Sequence, residues 1–496
     1  MKWKNIFRET AIISSIHLST KILGFLEKIL IAYVFGASSI SDAYFFSFAV
    51  FIIIFDFFNE STSPALLPEY VKQKKTGEDR ELFYSAFSYL ITIGFVISIL
   101  ISIFSPFIIN KLTNFPAETA MVTISYLRII SLGIGFVIAS ISTYLYINSN
   151  QKFFPASLGD LMFKITGSLF ILFVLIDSSY GLLSLAIGIT AGSFLKLFTH
   201  IVYLKRTGTG IRIKFGKNIK KIFRLSAPMV IGILFSKFRI LFDNFIVSGM
   251  AVGSVTALQY GYRVMEFGIV VLLEPFSTVI FPEFVKLINN MNDFIKRIST
   301  GMKFLLTIFL PVSTITFIFR YEIISLLFKR GAFDEKDVAV TAAAFSFYAL
   351  SMSFICIDFL LSRSLFSMGD TLFPAIFEVS SILFHIAFSI IFKSKGIHII
   401  SMAFLLNRIL KSLLLFIRFR FMVKRPLGIN VFLLKIVFFL AANTIIITLL
   451  KSPAAGLFGS GIPLFLILSS LFMLFYFIEL YFSGILMQLI NAVKKE

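Results

Sequence analysis

Residues 9–36 read ETAIISSIHLSTKILGFLEKILIAYVFG, and this stretch decides the fold. A spanning helix needs about 20 mostly apolar residues, which the stretch supplies. Yet Lys21, Glu27 and Lys28 interrupt it. Each such charge costs about 2.5–3.5 kcal/mol at the centre of a spanning helix. A simple anchor would carry Leu or Ile there. Lys21 and Lys28 are seven residues apart, so helical spacing puts them on one face. The expectation is a positive, water-accessible cavity within a helical bundle that handles something anionic inside the membrane.

Working outward, the whole chain has the same character. It is 58% hydrophobic and 15% charged over 496 residues, more apolar surface than a soluble domain can bury, so the bilayer acts as its solvent. The net charge of +20 does not point to nucleic acid, because cytoplasmic loops of membrane proteins collect Lys and Arg. The single cysteine, Cys356, excludes an intrachain disulfide and a Cys-rich metal site. Residues 1–8 are basic, but the stretch after them is too long for a signal-peptide core and lacks a small-residue cleavage site, so no cleaved signal is expected.

Apolar blocks recur to the end of the chain. They predict spans near 9–36, 43–66, 83–109, 120–147, 154–176, 180–204, 226–249, 254–281, 303–320, 338–364, 371–392, 397–417, 430–450 and 461–487. The fold class is therefore an all-α polytopic membrane protein of about fourteen helices. Basic loops alternate with loops lacking Lys and Arg. Lys2, Lys4, Arg8, Lys72, Lys74, Lys75, Arg80, the 205–225 linker, Arg418, Arg420, Lys424, Arg425, Lys494 and Lys495 all fall on one side. That side is cytoplasmic by the positive-inside rule, which puts both termini there. The opposite loop 320–337 mixes both signs and is close to neutral.

The chain also repeats itself. Leu67-Pro68-Glu69-Tyr70 returns as Phe281-Pro282-Glu283-Phe284, 214 positions later, and Phe154-Pro155-Ala156 returns as Phe373-Pro374-Ala375, 219 later. Lys21 and Glu27 return as Lys237 and Asp243, 216 later. Three matches in order at nearly one offset predict two six-helix lobes, 1–204 and 226–425, joined by a basic linker, 205–225, and followed by two extra helices within 426–496. Transporters built from such repeats bind substrate between the halves and rock around it.

The ionisable residues placed inside the spans are His17, Lys21, Glu27, Lys28, Asp56, Arg128, Asp160, Lys164 and Lys196 in the first lobe. In the second they are Lys237, Arg239, Asp243, Arg263, Glu266, Glu274, Asp358, Arg363, Glu378 and His385. Spacing of three or four predicts local ion pairs for Asp160 with Lys164, Arg239 with Asp243, and Arg263 with Glu266. Lys196 and Arg363 read as snorkelling or surface-proximal, and the two histidines as hydrogen-bonded core residues. Lys28 follows Glu27 directly, and adjacent residues on a helix do not face each other, so Lys21, Lys28 and Arg263 are the cations expected to line a functional cavity. No phosphate-cradling Gly loop, HExxH or Ser/His/Asp grouping is present, so no catalytic residues, no metal ligands, no bound cofactor and no enzymatic activity are predicted.

Several segments are similar to one family. Leu23-Gly24-Phe25, Phe35-Gly36-Ala37, Ser41-Asp42-Ala43-Tyr44-Phe45 and Ser63-Pro64-Ala65-Leu66-Leu67-Pro68-Glu69-Tyr70 resemble the first hairpin region of the MurJ (MviN) family of lipid II flippases. So do Tyr262-Arg263-Val264-Met265-Glu266-Phe267, Leu327-Phe328-Lys329-Arg330-Gly331-Ala332-Phe333 and Phe366-Ser367-Met368-Gly369-Asp370-Thr371-Leu372-Phe373-Pro374. The matches run in order over about residues 10–420. The resemblance implies the multidrug/oligosaccharidyl-lipid/polysaccharide (MOP) exporter fold, a MATE-like arrangement of two six-helix lobes with two extra helices forming a lipid-facing groove. It also implies a bacterial inner-membrane location and a part in peptidoglycan synthesis, with lipid II, membrane lipids and cell-wall synthesis proteins as partners.

In that family, cations of the first, second and eighth spans are thought to meet the diphosphate of the lipid-linked precursor. By resemblance Lys21 and Arg263 take two of those places, and Asp42 matches the acid closing the first outer loop. Glu27 then Lys28 stand where the family usually has Arg then Asp, and the second-span arginine has no counterpart, since residues 51–58 offer only Asp56. The resemblance therefore implies a substrate set of Lys21, Glu27, Lys28, Asp42 and Arg263. Some members bind sodium through the seventh, eleventh and twelfth spans. Asp243 matches one ligand, but His385 and Ser389 stand at two others, and hard cations prefer carboxylate and amide oxygens. Asp243 and His385 remain candidates for ion or proton coupling, with Na+, H+ and the membrane potential as the energy sources to be distinguished.

The leading expectation is a flippase moving lipid II outward by alternating access. The alternative is a flippase for another polyprenyl-diphosphate-linked glycan of the O-antigen or capsule type, motivated by the missing arginine. A drug/cation antiporter is disfavoured by the positive first span. A scaffold or glycosyltransferase is disfavoured by the short outer loops.

Overall fold

The computed structural model describes residues 3–176, 181–216, 219–288, 290–458 and 461–488. The first helices are α1 (Trp3–Phe35), α2 (Ser39–Gln73), α3 (Asp79–Leu112), α4 (Ala117–Ser149), α5 (Phe153–Ile176), α6 (Gly181–Arg206) and α7 (Ile219–Ser248). They continue with α8 (Ser254–Leu287), α9 (Met291–Ile318), α10 (Arg320–Phe328), α11 (Glu335–Ser367), α12 (Leu372–Phe392), α13 (His398–Val423), α14 (Asn430–Phe458) and α15 (Ile462–Phe482). No strand occurs among the described residues. By length and composition, eleven of these helices suffice to cross a membrane: α2–α6, α9 and α11–α15. That count is of the described residues; the remaining long helices are α1, α7 and α8, which carry Lys21, Lys237 and Arg263. The protein is an all-α, multi-pass membrane protein.

Two elements differ from the sequence reading. The second span was expected to end at residue 66, broken by the polar run 59–64. Instead α2 continues through Pro64 and Pro68 to Gln73. Proline lacks the amide that would bond the preceding turn, and tertiary packing outweighs that loss. Leu66 and Tyr70 are fully buried, and the Tyr70 hydroxyl meets Ser142 Oγ of α4 at 2.8 Å. The loop 320–337 contains a short helix, α10, anchored by fully buried Ile324 and Phe328.

The chain divides into two compact units, Met1–Thr256 with Arg330–Asp334, and Ala257–Lys329 with Glu335–Glu496. This packing division differs from the repeat-based lobes, because α7 belongs to the first unit. There Phe245 of α7 lies 5.5 Å from Phe46 of α2, ring to ring. Lys237 of α7 reaches Asp56 and Glu60 of α2 at 3.0 and 2.7 Å.

Within the first unit, α4 is the central helix, packed on α2, α3 and α6. Small residues let helices approach where the hydrophobic effect offers little. A Cβ on Gly133 of α4 would come within 3.2 Å of Thr190 Cα in α6. The start of α2 is fixed by a capping box, in which Ser41 Oγ accepts from Ser38 N at 2.8 Å. In the second unit, α11 packs on α9 and α13, and α14 on α15. Tyr476 of α15 donates to the Thr307 carbonyl of α9 at 3.1 Å, and Lys451 of α14 pairs with Glu322 of α10 at 2.8 Å. Cys356 is buried on α11.

Candidate functional site on the first helix

The three charges of α1 occupy different environments. Lys21 is exposed, whereas Glu27 and Lys28 are buried at 5% and 4%. The shared face inferred from seven-residue spacing therefore does not give Lys21 and Lys28 a common environment. Lys28 turns under an aromatic roof, its Nζ 4.8 Å from the Phe48 ring centre and 5.2 Å from that of Tyr44. The expectation that neighbours on a helix would not pair is also corrected. Lys28 Nζ donates to Glu27 Oε1 at 2.8 Å, because a flexible four-carbon stem can fold back over one residue when burial leaves no water to bind.

Glu27 is the hub. Its Oε1 also accepts from the Tyr44 hydroxyl at 2.9 Å, and its Oε2 lies 3.5 Å from Lys164 Nζ of α5. Lys164 was expected to pair with Asp160 one turn away. Asp160 instead takes Lys196 of α6 at 2.5 Å, and Lys196, expected to snorkel, is buried over the Phe55 ring at 4.9 Å. Beside this cluster is a small cavity with room for about one water, lined by Glu27, Tyr44, Phe48, Phe163, Lys164 and Gly167 together with Ile171, Leu185 and Ile189. It sets an ammonium, a carboxylate and a phenol against apolar walls.

Asp42 is not among the residues lining that cavity. It is 2% exposed and its carboxylate is committed within the first unit. Gly253 N donates to Oδ2 at 2.7 Å, and Thr256 N and Oγ1 donate to Oδ1 at 2.8 and 2.6 Å. Gly253 can serve because its φ is 89°, and a Cβ there would lie 2.4 Å from the Ala37 carbonyl oxygen. Asp42 thus latches the start of α2 to the turn between α7 and α8.

Asp243 is buried and pairs with Arg239 at 2.9 Å, as spacing predicted. Arg263, half-buried on α8 of the second unit, pairs with Glu266 at 2.5 Å, also as predicted. His385 and Ser389 are buried on α12 of the second unit. Arg128, expected inside, is exposed. The side chains of His17 and Glu274 lie outside the described residues. No group of three or more His, Cys, Asp or Glu residues that could hold a metal ion occurs among the described residues.

Sequence reasoning placed Asp358 and Glu378 inside the spans but missed Arg408 and Lys411, with which they form a second charged cluster on α11–α13. Asp358 accepts from Ser412 Oγ at 2.5 Å and lies 3.4 Å from Arg408, while Lys411 pairs with Glu378 at 2.6 Å. Arg408 and Lys411 were in the sequence, within the predicted span 397–417, and that placement was the available signal.

The model of the family described as "Lipid II flippase MurJ" matches residues 31–469. The chain belongs to the MurJ family. A probable lipid II flippase MurJ of Buchnera aphidicola subsp. Schizaphis graminum is 27% identical over 380 residues, covering 72% of each chain. A solved structure of lipid II flippase MurJ in an inward closed conformation superposes with a TM-score of 0.81 at 25% identity, covering 96% of this chain and 99% of that one. An inward-facing multidrug-resistance MATE transporter of the MOP superfamily gives a TM-score of 0.70 at 13% identity, over 82% of this chain and 94% of that one, a likeness of fold alone. The MurJ resemblance drawn from the motifs is thereby established, and the fold is shared with that MATE transporter.

Proposed function

We propose that this chain carries lipid II from the cytoplasmic to the outer leaflet of a bacterial inner membrane by alternating access, acting as a transporter and not as an enzyme. The observation that carries the reading is the MurJ family match across residues 31–469. The physical support is α1, whose Lys21 is exposed and whose Glu27, paired with Lys28, lies in a buried charged cluster with Lys164. In this reading Lys21 and Arg263 meet the diphosphate, the saccharide travels in a solvated space, and the polyprenyl tail stays in the bilayer. Both termini face the cytoplasm, following the basic loops.

The coupling we favour is the membrane potential acting on the cargo, with protons at Asp243 or His385 as the alternative. A potential negative inside drives an anionic headgroup outward by about 2.3 kcal/mol per charge per 100 mV. Sodium is disfavoured because His385 and Ser389 supply few hard oxygen ligands. The test is complementation. Rescue of cells depleted of their lipid II flippase is the expected result, and rescue only of a surface-polysaccharide defect would replace lipid II by another polyprenyl-linked glycan.

A further inference from the structure

In the first unit, the chain that leaves α6 is strapped along the start of α3. Residues 209–216 form neither helix nor turn, and two serines of α3 hold them. Lys214 N donates to Ser88 Oγ at 2.8 Å, and Gly216 N donates to Ser85 Oγ at 3.0 Å. The Tyr84 hydroxyl donates to the Thr209 carbonyl, and Lys214 Nζ pairs with Glu81 at 2.7 Å. Residues Leu82 to Ser88 are buried without a break, although successive residues of a helix point to all its faces. Packing on α4 covers one face of α3, and the strap covers another. Farther along α3, Val96, Ile99, Ile103 and Phe107 are exposed, as the lipid-facing side of a spanning helix should be.

The strap turns apolar side chains outward. Ile213 is 65% and Phe215 56% exposed, and the Phe215 ring stands edge-on to Tyr89 of α3 at 5.1 Å. Tyr89 precedes Val96 on α3 by about 10 Å of helix rise, which puts the strap at the rim of the lipid-facing band, where aromatic residues collect. Arg212 and Lys214 alternate with the two apolar residues, and Lys205 and Arg206 are exposed at the end of α6. The acids beside them are Glu78 and Glu81, where α3 begins. Large apolar side chains flanked by cations, at the edge of a lipid-facing surface, match the chemistry of an interfacial anchor. We propose that residues 205–216 bind anionic phospholipid. Ile213 and Phe215 enter the acyl boundary of the leaflet at this end of α3, and Lys205, Arg206 and Arg212 hold the phosphates above them. Their long apolar stems let the charged ends reach the phosphate plane from that boundary. Because Ser85 and Ser88 already order the strap, lipid binding does not bear that cost.

The test places a reporter on the strap of the full chain in phosphatidylcholine nanodiscs. Trp3 is the single tryptophan, so Trp3→Phe with Phe215→Trp makes residue 215 the only indole. A minor fraction of lipid brominated high on its acyl chains is then added, either as phosphatidylglycerol or as phosphatidylcholine. Both are expected to quench the indole, phosphatidylglycerol by at least about twofold more, because the cations enrich it locally. High salt, or Lys205→Gln/Arg206→Gln/Arg212→Gln, should make the two lipids quench equally. No quenching by either lipid, or equal quenching at low salt with the cations in place, overturns the proposal. Hydrogen exchange on the unaltered chain covers the case where a variant does not fold. Amides of residues 209–216 are expected to exchange more slowly in nanodiscs containing phosphatidylglycerol than in phosphatidylcholine alone, and unchanged exchange overturns the proposal. Neither readout involves lipid II, so the transport reading stands or falls separately.

Discussion

Lys28 and Glu27 are consecutive residues of α1, yet their side chains form a buried ion pair at 2.8 Å. Removing one member of a buried pair leaves the other charge stranded, typically at a cost of about 3–5 kcal/mol. Glu27→Ala is expected to fall in that range, because Lys28 loses its carboxylate beneath the aromatic roof. Glu27→Ala with Lys28→Ala together should recover at least half of the loss. Thermal unfolding of the detergent-solubilised single and double variants measures this, and additive losses would contradict the pairing.

The Asp42 latch gives a second expectation. Asp42→Ala removes the acceptor of three donors and strands the Gly253 and Thr256 amides, for a loss of about 2–4 kcal/mol. Asp42→Asn keeps one carbonyl acceptor and should lose less. Hydrogen exchange at Gly253 and Thr256 is the local readout, with faster exchange in both variants and the larger increase in the Ala variant.

Glycines with similar backbone angles should respond differently. Gly331 has φ 61°, and a Cβ there would sit 2.2 Å from the Tyr33 carbonyl oxygen. Gly369 has φ 80° and nothing within 4 Å of that position. Gly369→Ala should cost only the left-handed backbone penalty, about 1–2 kcal/mol. Gly331→Ala should cost more and break the hydrogen bond from Ala332 N to Tyr33 O at 2.8 Å. Equal melting temperatures for the two variants would refute the close approach.

On α7, Lys237 is shared by Asp56 and Glu60 of α2, at 3.0 and 2.7 Å. Lys237→Glu places three carboxylates together, and Asp56→Lys in that background restores an opposite-charge contact. Because the acids are partly exposed, the expected effects are about 1 kcal/mol or less, and recovery in the double variant is the sign to look for in thermal melts at low salt.

The long helices were legible in the sequence because hydropathy over about 20 residues reports the bilayer directly. The interior charges of α1 were legible for the same reason. Spacing along one helix correctly paired Arg239 with Asp243 and Arg263 with Glu266, since those partners lie on the same element. It failed for Lys164, whose acid is Glu27 on α1, and it offered no partner for Lys196 or Lys237, whose acids are Asp160 on α5 and Asp56 on α2. Partners across helices depend on packing that periodicity does not contain. The continuation of α2 past Pro64 and α10 in the 320–337 loop were hidden likewise, because burial of Tyr70, Ile324 and Phe328 overrides local propensity.

The most direct measurement of the central claim is lipid II translocation in liposomes. The full chain is reconstituted with labelled lipid II, and appearance of the headgroup on the opposite leaflet is followed for wild type and for Lys21→Ala/Arg263→Ala. The account predicts translocation by wild type and a loss of tenfold or more in the double variant, on the order of the 1.4 kcal/mol or more expected from losing phosphate-facing cations. Equal rates in the two proteins, or wild-type liposomes no faster than empty ones, would contradict it.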